Sequence, residues 1–268
     1  MTRELLVEGL SLSPSVGTTV PHTAQVWTLN RPESRNSLNP ALVDALHDAL
    51  RKAEADGTQV VVIAGNGLSF CAGADLRFLQ SHDASKGETP RELLESIWNL
   101  TIAMEQSPIA FVAALHGHAV AGGLELALAC DVVIAAADTR IGDGHVTNNL
   151  IPGGGASARL ERAIGRGPSA WLALTGELLP ATDQVFVTWL KRVVPASELS
   201  FEYSTVAEAL VRASPVASST YKQLLHRHAP APSAADRDAE LDAFVEHWID
   251  QNLSETLRVL LDKNGKAS

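Results

Sequence analysis

Two apolar runs, Val60-Val61-Val62-Ile63-Ala64 and Ile109-Ala110-Phe111-Val112-Ala113-Ala114-Leu115, each empty into a glycine-rich loop. Segments apolar at every position suit strands covered on both faces, the setting of a parallel sheet with helices packed above and below. The first loop runs from Gly65 to Asp75. The second, His116-Gly117-His118-Ala119-Val120-Ala121-Gly122-Gly123, leads into a helix expected over Leu124 to Ala129. Asp131 then begins another buried strand, Val132-Val133-Ile134-Ala135. Strand, glycine loop and helix thus recur before Asp131. This structural repeat of β-β-α type places the chain in the α/β class.

Thr23-Ala24-Gln25-Val26-Trp27-Thr28-Leu29 alternates partly and reads as a strand ending at the loop signal Asn30-Arg31-Pro32. Asn39-Pro40 opens a helix with proline at its first position, and Leu42, Leu46, Ala49, Leu50 and Ala53 form its apolar face. Gly57 ends it. The polar stretch Ser81 to Pro90 predicts a mobile surface loop, and Arg91 to Gln106 a helix. Beyond Ala156 the pattern turns mostly helical, interrupted at Pro180 and Pro195, with Arg192-Val193-Val194 as one short strand. His228 to Ser233 reads as a linker. A single amphipathic segment is expected from Asp236 to Lys263, striped by Leu241, Phe244, Val245, Trp248 and Ile249. That stripe serves the chain's own core or a neighbouring subunit.

The 268 residues suffice for one large α/β domain, and 46% hydrophobic with 19% charged residues argues against disorder. No apolar run reaches the roughly 18–20 residues of a membrane helix. The start, Met1 to Leu6, lacks a basic region followed by an apolar core, so no secretory signal is visible and a cytoplasmic setting is expected. Cys71 and Cys130, each inside an apolar stretch, fit buried free thiols there. No Cys/His cluster has the spacing of a metal site. A formal charge of −10 without a basic stripe argues against nucleic acid as a partner. It leaves room for an anionic small molecule, which a few local cations and helix N-termini can hold.

Four segments in order carry a resemblance. They are Leu29-Asn30-Arg31-Pro32-Glu33-Ser34-Arg35-Asn36-Ser37-Leu38-Asn39, Ser69-Phe70-Cys71-Ala72-Gly73-Ala74-Asp75-Leu76, Ala113 to Leu126, and Ile151-Pro152-Gly153-Gly154-Gly155 with Arg159-Leu160 and Ile164-Gly165. Together they resemble the crotonase (enoyl-CoA hydratase/isomerase) family. The resemblance implies a crotonase (ClpP-like) spiral of β-β-α units over residues 1–200, with a C-terminal helical region over 201–268. It also implies an acyl-CoA thioester as substrate, no cofactor besides the CoA that the substrate carries, and a homotrimer or dimer of trimers. Enolate chemistry needs two backbone N–H donors converging on one thioester oxygen, and the resemblance places them at Ala74 and Gly122. Arg31, Arg35, Ser37, Leu38, Ala72 and Asp75 fall in its CoA-binding segments. Arg35 is the first candidate for the phosphates, and Asp75 reads more as a loop brace than a proton carrier.

Glu125 stands where the enoyl-CoA hydratases of this family have their first catalytic glutamate. Their second aligns with His145, in Ile141-Gly142-Asp143-Gly144-His145-Val146. Imidazole keeps an acid–base group that titrates near neutrality but changes charge and reach. Glu125 and His145 thereby become a candidate acid–base pair, with Asp143 as a candidate orienter of the ring. A histidine here also marks the 6-oxocamphor hydrolase type branch, which cleaves C–C bonds by a retro-Claisen route. That branch pairs it with an aspartate where this chain has Gly154. The leading expectation is therefore hydratase- or isomerase-like chemistry. C–C or thioester hydrolysis through His145 stands second, and a weakly catalytic acyl-CoA binding or assembly subunit third. His116 and His118 read as loop braces. Asn148 and Asn149 line a polar acyl pocket or face solvent, and Thr188 reads as a helix-end variation.

Overall fold

The computed structural model describes residues 4–10, 23–228 and 231–265. The expected strands pair into one six-stranded sheet. In spatial order these are β1 (Leu5–Gly9), β2 (Ala24–Leu29), β3 (Val60–Gly65), β4 (Ala110–Leu115), β6 (Val132–Ala136) and β9 (Leu190–Val194). Only β1 runs antiparallel. Side-chain alternation divides the central strands between two layers. Val61, Ile63, Phe111 and Ala113 face one core with Trp27, Leu42 and Leu46 of α1 (Pro40–Ala55). Val60, Val62, Val112 and Ala114 face the other, closed by Leu199, Ala207 and Val211 of α7 (Leu199–Val211). Continuous hydrophobicity in the sequence thus answers to a sheet buried on both sides.

A second, smaller layer makes the repeat a spiral. The second glycine loop contains the short strand β5 (His118–Val120), which pairs in parallel with β7 (Arg140–Gly142). The latter pairs antiparallel with β8 (Leu179–Pro180). Isolated bridges Cys71↔Ala119 and Leu38↔Ala74 carry the same layer back through the earlier turns. Each turn therefore gives a long strand to the large sheet and a short extended piece to the small one. After the short piece the chain enters a helix: α2 (Leu76–Gln80) and α3 (Arg91–Gln106), α4 (Gly122–Leu128), or α5 (Ala156–Ile164). The backbone between the two layers is where the glycine loops lie.

Two expectations are corrected. The stretch Ser81 to Pro90 is docked: Ala84 is buried, its N–H donates to Ser254 Oγ (3.1 Å), and the Glu88 carbonyl accepts from Trp248 Nε1 (3.0 Å). The last amphipathic segment is two helices, α9 (Ala234–Asp250) and α10 (Leu253–Gly265), parted where Asn252 takes a left-handed φ of 46°. Leu241, Phe244 and Trp248 pack into the chain's own core. Thr188 directly follows the end of a short 3-10 turn (Gln184–Phe186, capped by Val187), and its hydroxyl donates to the Ala163 carbonyl (2.9 Å). The rest of the helical tail is α6 (Arg166–Thr175) and α8 (Pro215–His228). Residues 229–230, within the expected linker, lie outside the described residues.

Candidate active site

The two glycine loops meet at Ala74 and Gly122. Ala74 is bracketed by two braces, Leu38 N–H to the Gly73 carbonyl (2.8 Å) and Asp75 N–H to the Leu38 carbonyl (2.9 Å). Gly122 opens α4, so its N–H lies in the first turn, where helices lack internal acceptors. Among the described residues neither the Ala74 nor the Gly122 N–H has an acceptor. A Cβ built on Gly122 would lie 3.3 Å from Ala74 N, so the two donors are neighbours. Their approach depends on Gly73, whose φ is +97° and where an added Cβ would sit 2.9 Å from Ala121 Cβ. Ala121 itself has φ 51° and ψ −121°, a conformation that costs a non-glycine residue of order 1–3 kcal/mol. Strain is thus stored directly before the Gly122 donor.

Glu125, on the first turn of α4, is buried at 2% exposure. Its Oε1 accepts from Gly154 N–H (2.9 Å) and Ala156 N–H (3.1 Å), which leaves Oε2 for other partners. A Cβ on Gly154 would come within 2.5 Å of that Oε2. An aspartate at this position is therefore incompatible with Glu125 as placed here.

His145 begins a short turn after β7 and is also buried. Its Nδ1 lies 2.9 Å from Asp143 Oδ1, which also accepts the His145 backbone N–H (3.3 Å). An ionised carboxylate only accepts, so Nδ1 carries the proton and Nε2 is the nitrogen left for chemistry. Burial by itself lowers the imidazole pKa. The Asp143 hydrogen bond and the charges of Glu125, Asp143 and Glu240 outweigh it, and the net direction is upward. Ala72, Ala74, Gly122, Glu125, His145 and Asn148 all line one enclosed cavity, which Phe244 of α9 helps to close. Asn149 is exposed instead, and its carbonyl accepts from His247 Nε2 (3.0 Å).

The charged residues of the first two motifs divide between an ion pair and an exposed arginine. The Arg31 guanidinium is held by Asp75 (2.9 Å), by Glu4 (3.1 Å) and by the Ser37 carbonyl. Asp75 in turn caps α2 by accepting from Arg77 N–H (3.0 Å). Arg31 and Asp75 thus pair with each other and fasten the loops. Ser37 is buried, and Leu38 lies beneath Gly122, its Cδ1 3.2 Å from a Cβ placed there. Arg35 is exposed, in a left-handed conformation (φ 52°), and its carbonyl accepts from Ala72 N–H (3.0 Å). His118 approaches Ser69 Oγ (3.4 Å), while His116 Nε2 donates to the Gly67 carbonyl (3.1 Å). Burial, then the charges of Arg35 and Arg140, push the His118 pKa down. Burial likewise raises the Cys71 thiol to about 12, which makes it an inert sulfur.

Two features escaped sequence reasoning. Glu240 of α9 is buried at 7% exposure and accepts from Gly155 N–H (2.7 Å) and Ser157 N–H (3.2 Å). Its signal was present: it precedes Phe244 and Trp248 at helical spacing, so an acidic residue falls in register with the apolar stripe. The second is a buried ion pair between Arg159 and Glu105 (2.9 and 2.8 Å). Arg159 Nη1 also reaches the Gly154 carbonyl (3.2 Å). Nothing in the sequence joins positions so far apart.

A family model described as enoyl-CoA hydratase/isomerase matches residues 21–265. The 2,3-dehydroadipyl-CoA hydratase of Escherichia coli K12 is 33% identical over 238 residues, covering 88% of this chain and 91% of that protein. The crotonyl-CoA hydratase of Syntrophomonas wolfei is 30% identical over 240 residues, covering 89% and 91%. Among solved structures, an enoyl-CoA hydratase from Mycobacterium avium subsp. paratuberculosis K-10 superposes with a TM-score of 0.79. It is 29% identical and covers 92% of this chain and 100% of that one. With a family match across nearly its whole length and relatives at this identity, the chain belongs to the enoyl-CoA hydratase/isomerase family, as an enoyl-CoA hydratase-like enzyme.

Proposed function

We propose that the chain adds water across the double bond of an α,β-unsaturated acyl-CoA. One observation carries the reading: the Ala74 and Gly122 donors, the Glu125 carboxylate and the His145 ring share one cavity. The two N–H groups hold the thioester oxygen and the charge that develops on it as the enolate forms. Glu125 takes a proton from water as its oxygen attacks the β-carbon, and His145, as imidazolium, delivers a proton to the α-carbon. Asp143 holds the ring by its Nδ1–H. Chemistry of this kind calls for no cofactor, since CoA arrives with the substrate. Arg35 remains the exposed cation for its phosphates. A homotrimer or dimer of trimers belongs to the same reading: Trp171 and Leu174 on α6 and Phe201 on α7 leave apolar surface open, of the kind that subunit contacts cover.

The Asp143–His145 pair also favours a second reading, in which His145 is a base for water in C–C or thioester hydrolysis. Against its C–C form stands Gly154, where a side chain meets Glu125. Crotonyl-CoA hydration, followed by loss of enone absorbance, decides between them. The purified protein should turn over, and Glu125→Gln and His145→Ala should each lower kcat about 100-fold or more with the fold intact. Silence with crotonyl-CoA and other enoyl-CoA esters, alongside release of free CoA or of a cleaved acyl fragment, would put hydrolysis first.

A further inference from the structure

Gly154, Gly155, Ala156 and Ser157 present four successive N–H groups at the start of α5, where a helix has no internal acceptors. Two carboxylates from distant parts of the chain take them in alternation. Glu125 Oε1 receives the first and third, from Gly154 (2.9 Å) and Ala156 (3.1 Å). Glu240 receives the second through Oε1 (2.7 Å) and the fourth through Oε2 (3.2 Å), and Oε2 also accepts the Ser157 hydroxyl. Among the described residues neither carboxylate has a lysine or arginine on it. Amides and one hydroxyl carry the bonding for both.

We propose that Glu240 is a positioning residue of the active site, sharing the amide ladder of α5 with Glu125 and so tying the C-terminal helix to the acid–base pair. The proposal rests on the reading of Glu125 and His145 given above. Glu240 does not line the cavity that holds those two; it borders a separate surface cavity with Ile151, Pro152 and Asp236. Its action is therefore indirect. By occupying the Gly155 and Ser157 amides it fixes the segment whose Gly154 and Ala156 amides aim Glu125. One helical turn on, Phe244 closes the catalytic cavity, so a single stretch of α9 supplies both wall and brace.

Charge adds a second effect. The groups around Glu240 are Glu125 on α4, Arg159 on α5 beside the Gly154 and Gly155 carbonyls, Asp236 on its own helix, and His145 within reach of its field. Burial, then the charge of Glu125, raise Glu240 to about 7, with the Ser157 and Gly155 bonds opposing. Above that pH its negative charge is present, and it favours the imidazolium of His145. Removing the charge should let His145 lose its proton at lower pH.

The test uses the full chain with labelled histidine, its His145 signal assigned by loss in His145→Gln. Glu240→Gln keeps length and one acceptor oxygen but removes the charge and one amide's partner. In Glu240→Gln the His145 titration midpoint should fall. Exchange of the Gly155 and Ser157 amides should quicken, and kcat for enoyl-CoA hydration should drop about 10-fold or more with KM within about twofold. Glu240→Ala should repeat the midpoint shift and deepen the exchange effect; if it fails to fold, the Gln variant still decides. An unchanged His145 midpoint together with unchanged amide exchange in Glu240→Gln would overturn the proposal. The titration and exchange arms need no turnover. A wild type inactive on enoyl-CoA esters would therefore count against the proposed function while these arms still judged Glu240.

Discussion

His145 is pulled two ways, and the balance sets a pH range. Burial resists its charge, while Asp143 at 2.9 Å and the nearby carboxylates support it, and the net shift is upward. A histidine whose folded pKa is raised contributes stability that is fully present below the unfolded value of 6.5 and is lost as pH rises through the folded value. An imidazolium acting as acid follows the same sign, so activity should hold on the acidic side of that limb and fall beyond it. Asp143→Asn removes the strongest support of the charged form. Its alkaline limb in kcat/KM should move to lower pH by about one unit, together with a fall in kcat, since the amide no longer dictates which nitrogen carries the proton. A pH–rate profile of the two proteins checks this; a limb that stays in place would remove Asp143 from the acid–base chemistry.

Elements hold these residues at their distances. Glu125 comes from the first turn of α4, His145 from the turn after β7, and the cavity is finished by Phe244 of α9. The position of α9 depends in turn on Trp248, fully buried, whose ring N–H meets the Glu88 carbonyl at 3.0 Å. Trp248→Ala should cost about 3–5 kcal/mol in urea denaturation, through lost burial, a cavity and the unpaired Glu88 carbonyl. Because the same helix carries Phe244 and Glu240, kcat should fall in the variant under conditions where it remains folded. A loss of stability alone, with kcat intact, would mean that α9 only covers the site.

Across the whole molecule one buried contact links two otherwise separate parts, α3 and α5 with the loop that opens it. Arg159 on α5 grips Glu105 near the end of α3 with two bonds (2.9 and 2.8 Å), lies over the Trp98 ring (5.6 Å to its centre) and reaches the Gly154 carbonyl. Arg159→Met leaves the Glu105 carboxylate buried without its cation, which should destabilise the protein by about 3–5 kcal/mol. Adding Glu105→Leu should recover most of that loss, as replacement of a whole buried pair by apolar groups commonly does. The double variant still lacks the contact to Gly154, so its kcat should stay below wild type. Thermal denaturation and enoyl-CoA kinetics on the three proteins separate the two effects.

Apolar strands, proline-opened helix and glycine loops made the α/β class legible from residues alone, because each is a local pattern of hydrophobicity or backbone freedom, while the spiral followed from the resemblance those loops carry. The resemblance carried by the same loops pointed to Ala74, Gly122, Glu125 and His145. Contacts between distant segments were decided only by the tertiary structure. Arg31 and Asp75 lie far apart in the chain, and only the fold brought them together as an ion pair. The stretch Ser81 to Pro90 read as mobile until α9 and α10 covered it. Glu240 gained a partner only when folding set it against the amides that flank those Glu125 uses. A charge carries no mark in sequence of the partner it will meet, because burial and distance, which set its worth, exist only after the chain has closed on itself.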